Sequence, residues 1–151
     1  MNIKKINEEV YYTEDSITKV DRSDIDFLKE KALGNERKRA RLCSHLDGED
    51  LLHEMLIVLV KGAEFPAHKH LGKSESFHII EGEVKVIIYD ESGKVKEEIE
   101  MGDYSSGKKF YYRLSGEEFH TVVPGSDVVV FHEITNGPFK DGDTVFSSWE
   151  R

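Results

Sequence analysis

One stretch limits what this chain can become: Gly62-Ala-Glu-Phe-Pro-Ala-His68-Lys-His70-Leu-Gly-Lys-Ser-Glu75-Ser-Phe-His-Ile-Ile-Glu-Gly82. His68 and His70 are two residues apart. Successive side chains of an extended strand point to opposite faces, so these two imidazoles share one side. The short segment Leu71 to Ser74 turns the chain, and Glu75 opens the next apolar run, Phe77-His78-Ile79-Ile80, which ends at Gly82. Two hairpin-paired strands then bring two imidazoles and a carboxylate into one small volume, a ligand set for a divalent transition metal. His120, in Gly116-Glu-Glu-Phe-His120-Thr-Val-Val-Pro124-Gly125, stands at the start of another apolar strand. A sheet closed on itself carries it across to the first three.

The rest of the chain reads mostly as strands. Glu9-Val-Tyr-Tyr-Thr is a weak one. Asp21 or Ser23 can cap a helix with apolar positions Ile25, Leu28 and Leu33, stopped by Gly34-Asn35. Arg41 to Leu46 and Leu51 to Lys61 flank the turn Asp47-Gly48-Glu49-Asp50, a hairpin. A turn centred on Glu49 pairs Asp47 with Leu51, Leu46 with Leu52 and His45 with His53. Further strands are expected over 66–70, 76–80, 83–90, 94–101, 110–114, 119–123 and 128–134. Short strands at such intervals, without helices between them, predict a β-sandwich or barrel. The tail after Gly137-Pro138 is polar and is expected to pack Phe146 and Trp149 over the outside.

Gly62, His68, His70, Glu75 and Gly82 match every fixed position of the first signature motif of the cupins: Gly, five residues, His-x-His, three or four residues, Glu, six residues, Gly. The second cupin motif, roughly Pro-x-Gly-x-x-His-x-x-x-Asn, is met only in part. Gly116 precedes His120 by one residue too many, and Pro124 stands where Asn is usual. The flanks narrow the likeness. Arg37-Lys-Arg39-Ala-Arg41-Leu-Cys43-Ser-His45, His53-Glu54-Met55-Leu56-Ile57, Gly137-Pro138-Phe139 and Phe146-Ser-Ser-Trp149 resemble the WbuC-type cupin-fold metalloproteins, over roughly residues 23 to 151. The resemblance implies an all-β cupin double-stranded β-helix (jelly roll) with a short N-terminal helix. It also implies one divalent metal ion inside the barrel, held by His68, His70, Glu75 and His120. Iron, manganese, nickel, cobalt and zinc all suit such ligands. One cupin domain is expected over 1–151, with an extension at 1–36, a barrel core at 37–136 and a tail at 137–151.

Composition excludes some partners. A net charge of −9 argues against nucleic acid and against anionic membranes. The longest apolar run, Met55 to Val60, is too short to span a bilayer, and the N-terminus has no apolar segment of signal-peptide length. Cys43 is the single cysteine, so no internal disulfide forms, and a cytoplasmic location is expected.

Two further groups carry functional expectations. If the basic segment is extended, Arg39, Arg41, Cys43 and His45 share one side and Ala40, Leu42 and Leu46 the other. Arg39 and Arg41 then face solvent or the barrel mouth, where they would bind a small anion. His45, His53, Tyr111 and Tyr112 are candidate proton-transfer residues. His78 and His132 fall on the opposite strand face from the ligands. Two function classes follow. One is a metalloenzyme acting on a small anionic sugar or sugar-nucleotide intermediate of surface-polysaccharide metabolism, by isomerisation, epimerisation or oxygenation, a context implied by the WbuC resemblance. The other is a metal-dependent binding or sensing module without turnover. Exposed jelly-roll edges commonly pair, which points to a homodimer.

Overall fold

The computed structural model describes residues 1–149. In chain order the elements are β1 (Ile3–Lys5), β2 (Val10–Thr13), α1 (Arg22–Gly34), β3 (Arg39–Cys43), β4 (Leu52–Val60), β5 (His68–His70), β6 (Glu75–Glu81), β7 (Glu83–Tyr89), β8 (Val95–Gly102), β9 (Tyr111–Leu114), β10 (Phe119–Pro124), β11 (Val128–Asn136) and β12 (Thr144–Phe146). They form two facing sheets. One has the strand order β1-β2-β3-β4-β11-β6-β9 and the other β12-β5-β10-β7-β8. β2 runs parallel to β3, while the other ladders that build the two sheets are antiparallel.

Alternation decides which side chains lie between the sheets. In β7, Val84, Val86 and Ile88 point inward and pack with Phe77, Ile79, Val129 and Phe131 from the opposite sheet. Gly82, between β6 and β7, takes φ +84°, a region that favours glycine, and a Cβ there would collide with the Val128 carbonyl. The strand pattern predicts a β-sandwich or barrel, and the observed architecture is the jelly roll that the resemblance implies.

A second core lies outside the barrel, beneath α1. The helix begins at Asp21, whose carboxylate accepts the Ser23 backbone N–H at 2.9 Å. Asp24 returns the favour by accepting the Asp21 N–H at 2.8 Å, a reciprocal cap. Leu28 and Ala32 are fully buried against Ala40, Leu42, Val58 and Val130. Leu33, expected on the apolar side, is instead 65% exposed. The small Ala32 permits close approach to the sheet, and the helical period then turns Leu33 outward.

The β3–β4 hairpin has the expected register. Cys43 pairs with Met55, and two residues further on the rings of His45 and His53 stack with centroids 3.9 Å apart. The tail differs from expectation in one respect. Thr144–Phe146 forms a strand on the outer edge of β5, while Trp149 packs against Phe119 and Tyr89 with centroids 4.8 and 5.8 Å away. Phe146 stays 61% exposed.

Truncating Leu28 to Ala should lower the unfolding free energy by about 2–5 kcal/mol, the range for a buried Leu. Leu33→Ala should change it by less than about 0.5 kcal/mol, as for an exposed site. Urea denaturation of both variants, with unchanged m-values, checks the assignment of the buried face.

Candidate metal centre

Three imidazoles converge inside the barrel. His68 and His70 come from β5, and His120 from the adjacent β10, where it pairs directly with His68. One ring nitrogen from each lies within 4.8 Å of the others. His68, His70 and His120 would hold a first-row divalent ion after a small inward rotation of the rings.

Each ring is held from behind. His68 Nδ1 lies 2.9 Å from the Pro66 carbonyl, His120 Nδ1 lies 2.9 Å from the Glu118 carbonyl, and His70 Nδ1 lies 3.0 Å from the Thr144 hydroxyl. A carbonyl can only accept, so Nδ1 of His68 and of His120 carries the proton. This is the orientation that metal-binding histidines adopt. Burial lowers the His70 pKa to about 4, leaving that ring neutral and available as a donor at neutral pH.

Glu75 lies on the facing sheet, on β6, and its Oε1 is 2.7 Å from His120 Nε2. Burial opposes charge on both groups, but this contact outweighs it, lowering the Glu75 pKa and raising that of His120. The Tyr112 hydroxyl donates to Glu75 Oε1 at 3.1 Å, and burial pushes its own pKa up. The donor set thus suits a hard-to-borderline divalent cation.

The centre opens into a cavity of about 810 Å³. Arg39 and Arg41 line it, as the alternation of β3 predicts, and so do Cys43, His45 and His53. Arg39 stacks on Phe65 with its guanidinium 4.0 Å from the ring centroid, and its Nη2 donates to the Glu64 carbonyl at 2.9 Å. Glu9 lies 3.4 Å from Arg37 and 3.9 Å from Arg39. Arg41 makes no carboxylate ion pair among the described residues. Phe139 stands between His53 and His70, 5.7 and 5.4 Å from their centroids, and so separates the stacked histidines from the three-histidine cluster.

Tyr111 is not in the cavity. It pairs with His78 on the outer face and is 55% exposed, whereas Tyr112, one residue on, points in. His78 and His132 lie outside, directly opposite each other. Sequence reasoning missed Glu133. It lines the cavity and hydrogen-bonds Glu75, and its carboxyl is held well above the usual range, first by burial and then by the charge of Glu75. The signal was available: Phe131, Glu133 and Thr135 share a parity, and Phe131 is plainly a core residue. Thr144 was also missed, because a three-residue strand in a polar tail has no hydrophobic period.

Residues 20–101 match the family DUF6016, described as a domain of unknown function. The chain belongs to DUF6016. No curated protein matches it. Solved structures do. SO0799 from Shewanella oneidensis is 14% identical, with a TM-score of 0.54 over 71% of this chain and 68% of that one. CapF is 17% identical, with a TM-score of 0.55 over 72% of this chain and 31% of its own. The oxalate decarboxylase of Bacillus subtilis, a protein with Mn(II) centres, is 18% identical, with a TM-score of 0.50 over 64% of this chain and 24% of its own. This DUF6016 chain therefore spans less than a third of the latter two. At these identities the likeness establishes the cupin fold.

The stacked pair of this DUF6016 protein gives a pH test. Burial, and then the neighbouring His53, depress the His45 pKa below its ordinary value. The folded state therefore binds fewer protons than the unfolded chain as pH falls through about 6.5, so this contribution weakens stability below that pH and vanishes above it. Proton NMR should show His45 titrating below about 6.5, with its pKa moving up in His53→Asn. A His45 that titrates normally in both proteins contradicts the stacked, buried geometry.

Proposed function

We propose that the protein is a metal-binding cupin in which His68, His70, His120 and Glu75 hold one divalent transition-metal ion facing the cavity. The observation that carries this is the convergence of three buried or half-buried imidazoles, two with the proton fixed on Nδ1, beside an ionised carboxylate. When bound, the ion supplies a Lewis acid for a carbonyl or hydroxyl, or a dioxygen site if it is iron. The chain's own residues bind and orient the ligand. Arg41 and Arg39 offer planar forks to a phosphate or carboxylate, while Phe65, Phe131 and Phe139 exclude water from part of the cavity.

The ligand class this favours is a small anion. The chain carries a net charge of −9, so an extended polyanion meets repulsion outside a mouth that is locally basic. Within that class, a sugar phosphate or sugar nucleotide of surface-polysaccharide metabolism fits the WbuC likeness, with isomerisation, epimerisation or oxygenation as the chemistry. Its place is the cytoplasm, given the single cysteine; no helix of the described residues is long and apolar enough to cross a membrane.

One observation favours a binding or sensing module without turnover. Phe139 stands between the stacked pair His45–His53 and the three-histidine cluster, and Tyr111 faces outward, so of the four expected proton-transfer residues Tyr112 alone reaches the ligand set, with burial pushing its pKa up. Turnover of a sugar phosphate by metal-loaded protein, abolished by His45→Asn, decides for the enzyme.

Elemental analysis of purified protein should find about one divalent ion per chain, as the single ligand set requires. His68→Ala, Glu75→Gln and His120→Ala should each lower occupancy, and His78→Ala should leave it intact. Loss of metal in His78→Ala but not in His120→Ala would overturn the ligand set.

Anionic ligands should raise the melting temperature of metal-loaded protein in proportion to occupancy. Arg41→Ala should weaken that binding by about tenfold, the scale of one lost charge-assisted hydrogen bond, without changing metal content. If neutral sugars stabilise the protein as well as their phosphates do, the arginines are only a solvated face.

A further inference from the structure

The outer face of the seven-stranded sheet is half covered. α1 lies over β3 and β4 and buries their outward residues. Beyond it, the outward residues of β6 and β9 are exposed: Ile80 at 46% and Tyr111 at 55%, with Tyr104 at 80% alongside. The outward face of β7 and β8 on the other sheet is different in kind. There Lys85 pairs with Glu98 and Glu100, and Lys108 with Glu83, the pattern of a solvated surface.

The register fixes what stands side by side on the uncovered face. One row across the sheet reads Glu54, Ile134, Ser76, Arg113, and the next reads Leu56, His132, His78, Tyr111, with Leu56 already packed at the margin of α1. Neighbouring strands lie about 4.8 Å apart, so the backbones at Glu54 and Arg113 are about 14 Å apart within one chain. They carry opposite charge at the two ends of a row whose middle is uncharged. Neither meets the other in its own chain: Glu54 lies 3.8 Å from His132, and Arg113 donates to the Ser115 hydroxyl at 3.0 Å.

Such a row is complementary to itself. Consider a second copy laid face to face about a two-fold axis that runs along the strands between β11 and β6. Each Glu54 then stands opposite the partner's Arg113, and each Ile134 opposite the partner's Ser76. Packed sheets sit about 10 Å apart, close to the thickness of a helix. The α1 of each copy therefore fills the step beside the partner's β9, where Tyr104, Phe110 and Tyr111 are exposed. Aromatic residues and arginine are the side chains that interfaces favour.

We propose that this face joins two copies of the chain in a two-fold dimer, with Glu54 of each subunit against the partner's Arg113. The test is mass in solution, by light scattering over a concentration series. Wild-type protein should show twice the chain mass, falling to the chain mass on dilution. Glu54→Arg alone and Arg113→Glu alone should each show the chain mass, because both contacts then join like charges. Mixed in equal amounts, these two variants should recover the dimer mass as a one-to-one heterodimer, since both contacts become Arg–Glu pairs. Tyr111→Glu should be monomeric. A wild type of chain mass at every concentration overturns the proposal. So does a wild-type dimer that either charge reversal leaves intact, or a pair of monomeric variants that fail to associate on mixing.

Discussion

Nine consecutive pairs between β4 and β11, from Val60–Val128 to Leu52–Asn136, hold the rest of the molecule in place. They set the parity of both central strands. His53, Met55, Ile57 and Leu59 face the cavity side, opposite Thr135, Glu133, Phe131 and Val129, while Val58 and Val130 face the helix. A slip of one residue would invert every one of these positions. It would place valines in the cavity and a buried glutamate under α1. The apolar cost on both faces at once is what makes the register firm, and the site inherits its geometry from that.

The chain's seven histidines fall into three groups, each with its own physics. His68, His70 and His120 converge with their rings tied from behind, two of them by backbone carbonyls and His70 by the Thr144 hydroxyl. His45 and His53 stack against each other, and burial and then the neighbouring His53 depress the His45 pKa. His78 and His132 oppose each other on the outer face, with His132 near Glu54. Among the described residues, the first group alone brings three converging nitrogens beside a carboxylate, Glu75. Glu133, beside Glu75 in the same cavity, has its carboxyl pKa raised, first by burial and then by the charge of Glu75.

Much of this was legible in the sequence because strands advertise their two faces. The His-x-His spacing puts His68 and His70 on one side of β5, but β5 and β6 are not the hairpin pair expected: they lie in facing sheets, and Glu75 reaches the histidines across the barrel. The Arg39–Arg41 alternation leaves solvent or the barrel mouth open, and both residues line the cavity. The errors have physical sources. Tyr111 and Tyr112 both stand as candidates in the sequence, but only Tyr112 shares the inward parity of Leu114. Leu33 has helical spacing with Ile25 and Leu28, yet the buried face of α1 runs through Leu28 and Ala32 and leaves Leu33 exposed. β1 and β12 are three residues each, too short for any period to show, and they exist because longer strands offer them an edge.

The central claim is that the cluster at β5 and β10, and not either of the other histidine pairs, is where a divalent ion resides. Anomalous diffraction at the absorption edge of the ion found by elemental analysis tests this directly. A single peak among His68, His70 and His120, within bonding distance of Glu75, is the expected result. A peak between His45 and His53 or between His78 and His132, with none at the three-histidine cluster, would contradict it.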